Sequence, residues 1–118
     1  MDAKDKIKAV EKYVEAFANT DIEIIRGMYA SNARVEDPVG TPVHEGLDAI
    51  CSFYEGALKS GARLALTGTP RCAGNAVAFP FKVEMPGMVI DVIDVFEFDE
   101  EGKVASMKAY WGPENIQS

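Results

Sequence analysis

The sequence predicts an α+β domain in which three helices pack on one face of a curved, mainly antiparallel sheet. Three observations carry this prediction. Apolar residues recur at steps of three and four through most of the N-terminal half, alternation of period two takes over after Gly61, and turn residues separate the later alternating runs.

From Lys4 to Ala18, Ile7, Val10, Val14 and Phe17 mark one face of an amphipathic helix, with Tyr13 beside it. Thr20 followed by Glu23 has the pattern of a capping box, and Ile24, Ile25, Met28 and Tyr29 read as a second, short helix. Ala33 to Pro38 is a short strand, closed by Pro38 and a turn through Gly40 and Pro42. Leu47, Ile50, Cys51, Tyr54, Ala57 and Leu58 predict the third helix, with Lys59 in its last turn and Gly61 as its C-cap. Leu64 and Leu66, then Val77 to Met85, alternate as strands, and Pro86-Gly87 closes a hairpin onto Met88 to Phe98. A turn at Asp99 to Gly102 leads into a last strand from Val104 to Trp111. No linker or repeat interrupts the pattern, so residues 1–118 are expected to form one domain.

Composition narrows the function. Apolar residues at 47% and charged residues at 26% are those of an ordinary globular protein. A net charge of -7 repels a phosphate backbone, which argues against nucleic acid as a partner. No apolar run approaches the roughly 18 residues of a membrane span, and the charged start has no signal-peptide core, so no membrane insertion and a cytoplasmic location are expected. Cys51 and Cys72 lie outside any ligand spacing and read as buried free thiols. The single histidine, His44, cannot build a His-rich metal site and reads as a surface residue, so no metal is expected. Glycines scattered at turns offer no phosphate loop, and no nucleotide cofactor is indicated.

The informative residues are those that break the alternation, because positions i and i+2 share a face of a strand. One face of Met88 to Phe98 carries Met88, Ile90, Val92, Asp94, Phe96 and Phe98, so Asp94 stands among apolar neighbours. Asp91 and Glu97 fall on the opposite, mixed face. In the first strand Val35, Asp37 and Val39 share a phase, and Asp37 points inward while Glu36 does not. An ionised carboxylate in such surroundings costs on the order of several kcal/mol, so it finds a strong partner or stays protonated. Tyr13, Tyr29 and Tyr54 lie on or beside the apolar stripes of the helices, where their hydroxyls can join a buried network. Ala105, Met107, Ala109 and Trp111 share a phase in the last strand; they outline either a pocket wall or ordinary core, as do Phe79 and Phe81.

These residues carry a resemblance. KYVEAFANTDIE, MYASNARVEDPVG, FYEGAL, DVIDVFEFDEEGKVASMKAYWG and PEN resemble bacterial ketosteroid isomerase (steroid delta-isomerase) from about residue 10 to residue 116. The resemblance implies the nuclear-transport-factor-2-like (cystatin-like) fold: a cone-shaped, mixed or antiparallel sheet wrapped around three helices. It also implies a homodimer, no cofactor and a small apolar steroid substrate. Ketosteroid isomerase is the established example of a base aspartate working beside an oxyanion hole of one tyrosine and one protonated aspartate. By motif, Asp37 of VEDP matches the base, Tyr13 of KYV the oxyanion-hole phenol and Asp94, the second aspartate of DVID, the neutral acid. Tyr29 and Tyr54 match tyrosines that extend the network behind Tyr13. Phe53, Phe79, Phe81, Val92, Met107, Ala109 and Trp111 match positions that line the steroid cleft. The Pro86-Gly87 turn departs from the pattern by being shorter than the family's hairpin loop.

Two other functions share these features. One is a hydrolase or hydro-lyase using Asp37 on a nonsteroid substrate, weakened by the lack of a second histidine and of an Asp-Arg-Asp water-activating set. The other is a noncatalytic steroid or hydrophobic small-molecule binding domain of the same fold, in which the aspartates only hydrogen-bond a ligand. An outward face with Val89, Ile93 and Val95 is compatible either with the homodimer or with covering part of the monomer core.

Overall fold

The computed structural model describes residues 1–118. Helix α1 (Ala3–Asn19) starts at Asp2, whose carboxylate accepts from the Asp5 N–H at 2.9 Å. Its far end turns at Thr20, which takes a left-handed conformation and donates its N–H to the carbonyls at the end of the helix. With Thr20 committed to closing α1, the expected Thr20–Glu23 capping box does not form. Asp21 instead caps α2 (Ile22–Met28), accepting from the Glu23 N–H at 3.0 Å. Tyr29 is not part of that helix but the first residue of strand β1 (Tyr29–Glu36), which therefore begins well before Ala33.

Strand β2 (His44–Glu45) pairs antiparallel with β1. Helix α3 (Leu47–Lys59) follows, ends on Ser60, and hands the chain to Gly61 at φ 80°, a conformation glycine adopts without penalty. The remaining strands are β3 (Arg63–Leu66), β4 (Arg71–Ala73), β5 (Ala76–Met85), β6 (Met88–Phe98), β7 (Val104–Tyr110) and β8 (Ile116–Gln117). The β5–β6 hairpin closes through the two residues between Met85 and Met88, as the Pro86-Gly87 signal predicts.

The sheet runs β2-β1-β7-β6-β5-β3, with β4 on β5 and β8 on β6. Strand β1 lies parallel to β7 because it is laid down before the hairpins and only the last long strand returns beside it. The sheet is mixed, curved and unclosed, and with the three helices forms the α+β cone expected. A core of 24 buried residues fills the space between helices and inner sheet face. On β6 the alternation holds: Val92, Asp94, Phe96 and Phe98 are buried while Ile93 and Glu97 are exposed. Val39 is exposed instead of sharing the Val35 face, since the strand ends at Glu36 and the chain turns. Cys51 is buried as expected, but Cys72 on the short β4 is only half-buried. No helix is long and apolar enough to cross a membrane.

Candidate active site

The parallel β1–β7 pairing builds one end of the site. Val35 sits opposite Met107, Glu36 opposite Lys108, and just beyond the ladder the Val39 N–H donates to the Ala109 carbonyl at 2.9 Å. This brings the residue after β1, Asp37, beside the residue after β7, Trp111, whose Nε1–H donates to Asp37 Oδ1 at 2.9 Å. Glu36, of opposite phase, turns outward and accepts from the Gly40 N–H at 2.8 Å. Burial raises the Asp37 carboxyl above the ordinary aspartate value, and the Trp111 hydrogen bond and the nearby His44 charge draw it back down.

Asp94 lies in the middle of the sheet, with Phe79 and Ala109 as its neighbours across β5 and β7. It is 1% exposed, and its Oδ1 has no hydrogen-bond partner within the chain. Burial pushes its pKa well above the usual carboxylate range, the Asp37 charge adds to the rise, and the Tyr13 hydroxyl opposes it. Burial thus favours the neutral form of Asp94, in which the carboxyl can donate as well as accept.

Tyr13 projects from α1, on the face that buries Val10 and Phe17. Its ring meets Phe96 edge-on at 5.2 Å and Phe79 at 6.0 Å, which fixes the phenol against the sheet. Its hydroxyl is 2.9 Å from that of Tyr54, which is 2.7 Å from that of Tyr29. Three elements thus supply one buried chain of hydroxyls. Burial foremost raises the pKa of all three phenols well above the ordinary value, so the chain is uncharged.

Asp37, Tyr13, Tyr54 and Asp94 open onto one cavity of about 260 Å³ lined by 16 residues, 13 of them hydrophobic. Of the other predicted residues, Phe53, Phe81, Val92 and Trp111 line it, and Tyr29 stands behind Tyr54. Phe79, Met107 and Ala109 do not line it: they point inward as their phase requires but are covered, at 0%, 0% and 1% exposure, by side chains packed over them. Strand phase selects a face, not a depth beneath it. His44 is likewise not a surface residue; it is half-buried and stacked on Phe53. The reading missed Phe17, Ala57, Ser60, Ala62, Leu64, Val83, Met85 and Ile90 as lining residues. Leu64, Val83, Met85 and Ile90 already stood in inward phase, whereas Ala57 and Ala62 leave room by being small, which no periodicity marks.

Residues 10–107 match the SnoaL-like domain family. The chain belongs to that family. It is 40% identical over 111 residues to the steroid Delta-isomerase of Nocardioides simplex, an alignment covering 89% of this chain and 88% of the relative. It also superposes with a TM-score of 0.90 and 29% identity on SalBIII, an epoxide hydrolase/cyclase-like enzyme of pyran ring formation in the polyether salinomycin, covering 98% of this chain and 96% of that one. The first relative makes this a ketosteroid-isomerase-like protein of isomerase type; the second has the same fold with a different chemistry.

Proposed function

We propose that the protein is a steroid delta-isomerase that converts a 5-ene-3-oxosteroid into its conjugated 4-ene isomer. The observation that carries this reading is that Asp94, buried with an unpartnered Oδ1, lines the same apolar cavity as Asp37. Asp37, as carboxylate, removes a proton from C4 beside the carbonyl and returns it at C6. Between those steps negative charge gathers on the C3 oxygen, where Tyr13 and Asp94 donate hydrogen bonds that strengthen as the dienolate forms. When Tyr13 donates to that oxygen, Tyr54 donates to Tyr13 and Tyr29 to Tyr54, so the phenols polarise one another toward the developing charge. The proton transferred is the substrate's own, carried by Asp37 from C4 to C6, so the cycle closes without a net proton from the protein and calls on no cofactor.

The apolar lining suits a flat, neutral substrate and strengthens both hydrogen bonds by excluding water. The expected partner of the outer sheet face is a second copy of the chain, supported by exposed Ile93 and Tyr110, which pair across β6 and β7.

Ultraviolet absorbance against time, with 5-androstene-3,17-dione as substrate, tests the reading. The conjugated-enone band should grow with the protein and be slowed by about 10² to 10⁴ with Asp37→Asn, the usual contribution of a positioned base. A well-folded protein that binds the steroid without producing the band is a binding domain, not an isomerase.

A further inference from the structure

Register sets the long axis of the cavity. On β6 the inward residues run Asp94, Val92, Ile90, and on β5 Phe79, Phe81 and Val83 stand opposite them in turn. Asp94 pairs with Ala109 across β7, so Trp111, two places on, falls level with Val92 and brings the Asp37 carboxylate to that middle row. Leu64 of β3 extends the third row from Val83. Ile90 is four residues from Asp94, about 13 Å along the strand, which is the length of a skeleton of four fused rings. A flat substrate with its carbonyl at Asp94 and the carbons beside it at Asp37 therefore ends among Ile90, Val83 and Leu64, all of which line the cavity.

The link from α3 to β3 runs directly into this third row, and two of its residues, Ser60 and Ala62, line the cavity. Apart from Asp37 and Asp94, Ser60 is the one lining residue that is not hydrophobic. Every donor from Ser60 to Ala62 is engaged. The Ser60 hydroxyl donates to the Ala57 carbonyl at 2.6 Å, the Ser60 N–H turns to the same carbonyl at 3.3 Å, and the Gly61 N–H reaches the Leu58 carbonyl at 3.3 Å. The Ala62 N–H donates to Ser60 Oγ at 3.3 Å. The carbonyls of Gly61 and Ala62 already accept from the Arg63 guanidinium. A hydroxyl has one proton and two lone pairs, so one capacity remains at this end of the cavity: the second lone pair of Ser60 Oγ.

We propose that Ser60 is a specificity-determining residue: at the end of the cavity opposite the reacting carbonyl it accepts a hydrogen bond from a substrate hydroxyl, so that the protein prefers a 17-hydroxy to a 17-oxo 5-ene-3-oxosteroid. The proposal rests on the steroid reading above. The distinction follows from the engaged donors. A hydroxyl on the last ring can give its proton to Ser60 Oγ, whereas a ketone there needs a donor and meets none unless Ser60 gives up its 2.6 Å bond to Ala57. Ser60 is exposed, so water competes for either group and the preference is a factor of a few.

The test compares 17β-hydroxy-5-androsten-3-one with 5-androstene-3,17-dione as substrates of the parent, Ser60→Ala and Ser60→Thr. In the parent the hydroxy steroid should have the lower KM, by about twofold to tenfold, the worth of one hydrogen bond. Ser60→Ala should bring the two KM values together, and Ser60→Thr, which keeps a hydroxyl, should retain most of the difference. If the hydroxyl serves only to close the end of α3, Ser60→Ala moves both KM values in step and leaves their ratio as in the parent. That result, or a parent without preference for the hydroxy steroid, overturns the proposal. Binding of the two conjugated products, 17β-hydroxy-4-androsten-3-one and 4-androstene-3,17-dione, read from quenching of the single tryptophan, Trp111, should give the same ratio without turnover. A hydroxyl preference that Ser60→Ala erases, in protein that never isomerises either steroid, upholds the role of Ser60 and overturns the isomerase reading instead.

Discussion

The lip and the floor of the cavity each hold one aspartate, and the two differ in everything but the side chain. At the lip, Asp37 stands past the end of a strand, half-buried, with Trp111 donating to it and His44 nearby. On the floor, Asp94 sits mid-strand, 1% exposed, with an oxygen that nothing in the chain satisfies. Both are raised by burial, but only Asp37 has a hydrogen-bond donor and a cation working together against it. In the proposed reaction this difference suits the lip to the part of base and the floor to that of acid. Their proximity sharpens the split, because the charge on Asp37 further disfavours ionisation of Asp94.

Substitution should treat the two ends differently. The largest loss belongs to Asp37→Asn, which keeps the shape and the steroid affinity of the lip but has no basic oxygen to take the proton. On the floor the requirement is a donor, not a charge. Asp94→Leu should lower kcat by about 10² to 10³, as loss of an oxyanion donor does, whereas Asp94→Asn retains an N–H and should lose distinctly less. Equal losses in the two folded variants, measured by steady-state turnover, would deny the floor its donor role. A smaller effect is expected at the lip from Trp111→Phe. Removing the 2.9 Å hydrogen bond leaves burial less opposed, so the pKa of Asp37 should rise and the acid limb of kcat/KM move upward, with at most about tenfold lost at pH 8. The same substitution should leave the ratio between Asp94→Asn and Asp94→Leu unchanged.

The floor was more legible in the sequence than the lip. Asp94 declares itself because a strand of eleven residues gives its period-two pattern time to establish which face is apolar. Tyr13 and Tyr54 stand on long helical stripes and are placed as well. Asp37 was found from only three alternating positions, and one of these, Val39, turned out to be exposed once the chain bent. His44 could not be placed from its neighbours, since a two-residue strand carries no periodicity and its inward aspect depends on pairing with Val35. The parallel β1–β7 contact that unites Asp37 with Trp111 joins segments far apart in the chain, a pairing that local pattern does not encode. Depth was hidden for a related reason: Phe79, Met107 and Ala109 have the correct phase, and only the helices above them decide that they are core.

The floor also leaves a signature in stability that the lip should share more weakly. A carboxyl whose pKa is raised on folding binds its proton more tightly in the native state than in the unfolded chain. The unfolded state then holds fewer protons, and stability falls as pH rises from the unfolded value, about 3.9, toward the folded one. The parent protein should therefore lose stability across that interval because Asp94 must be kept protonated while its unfolded counterpart ionises. Asp94→Asn removes the titration without emptying the site, so its Tm relative to the parent should rise from pH 4 to pH 7. Asp37→Asn should show the same trend with smaller amplitude, since Trp111 and His44 offset part of the burial there. Paired thermal melts at the two pH values measure both slopes. A Tm difference for Asp94→Asn that does not change with pH would mean that Asp94 is ionised in the native protein, and the floor would then hold a second carboxylate instead of an acid.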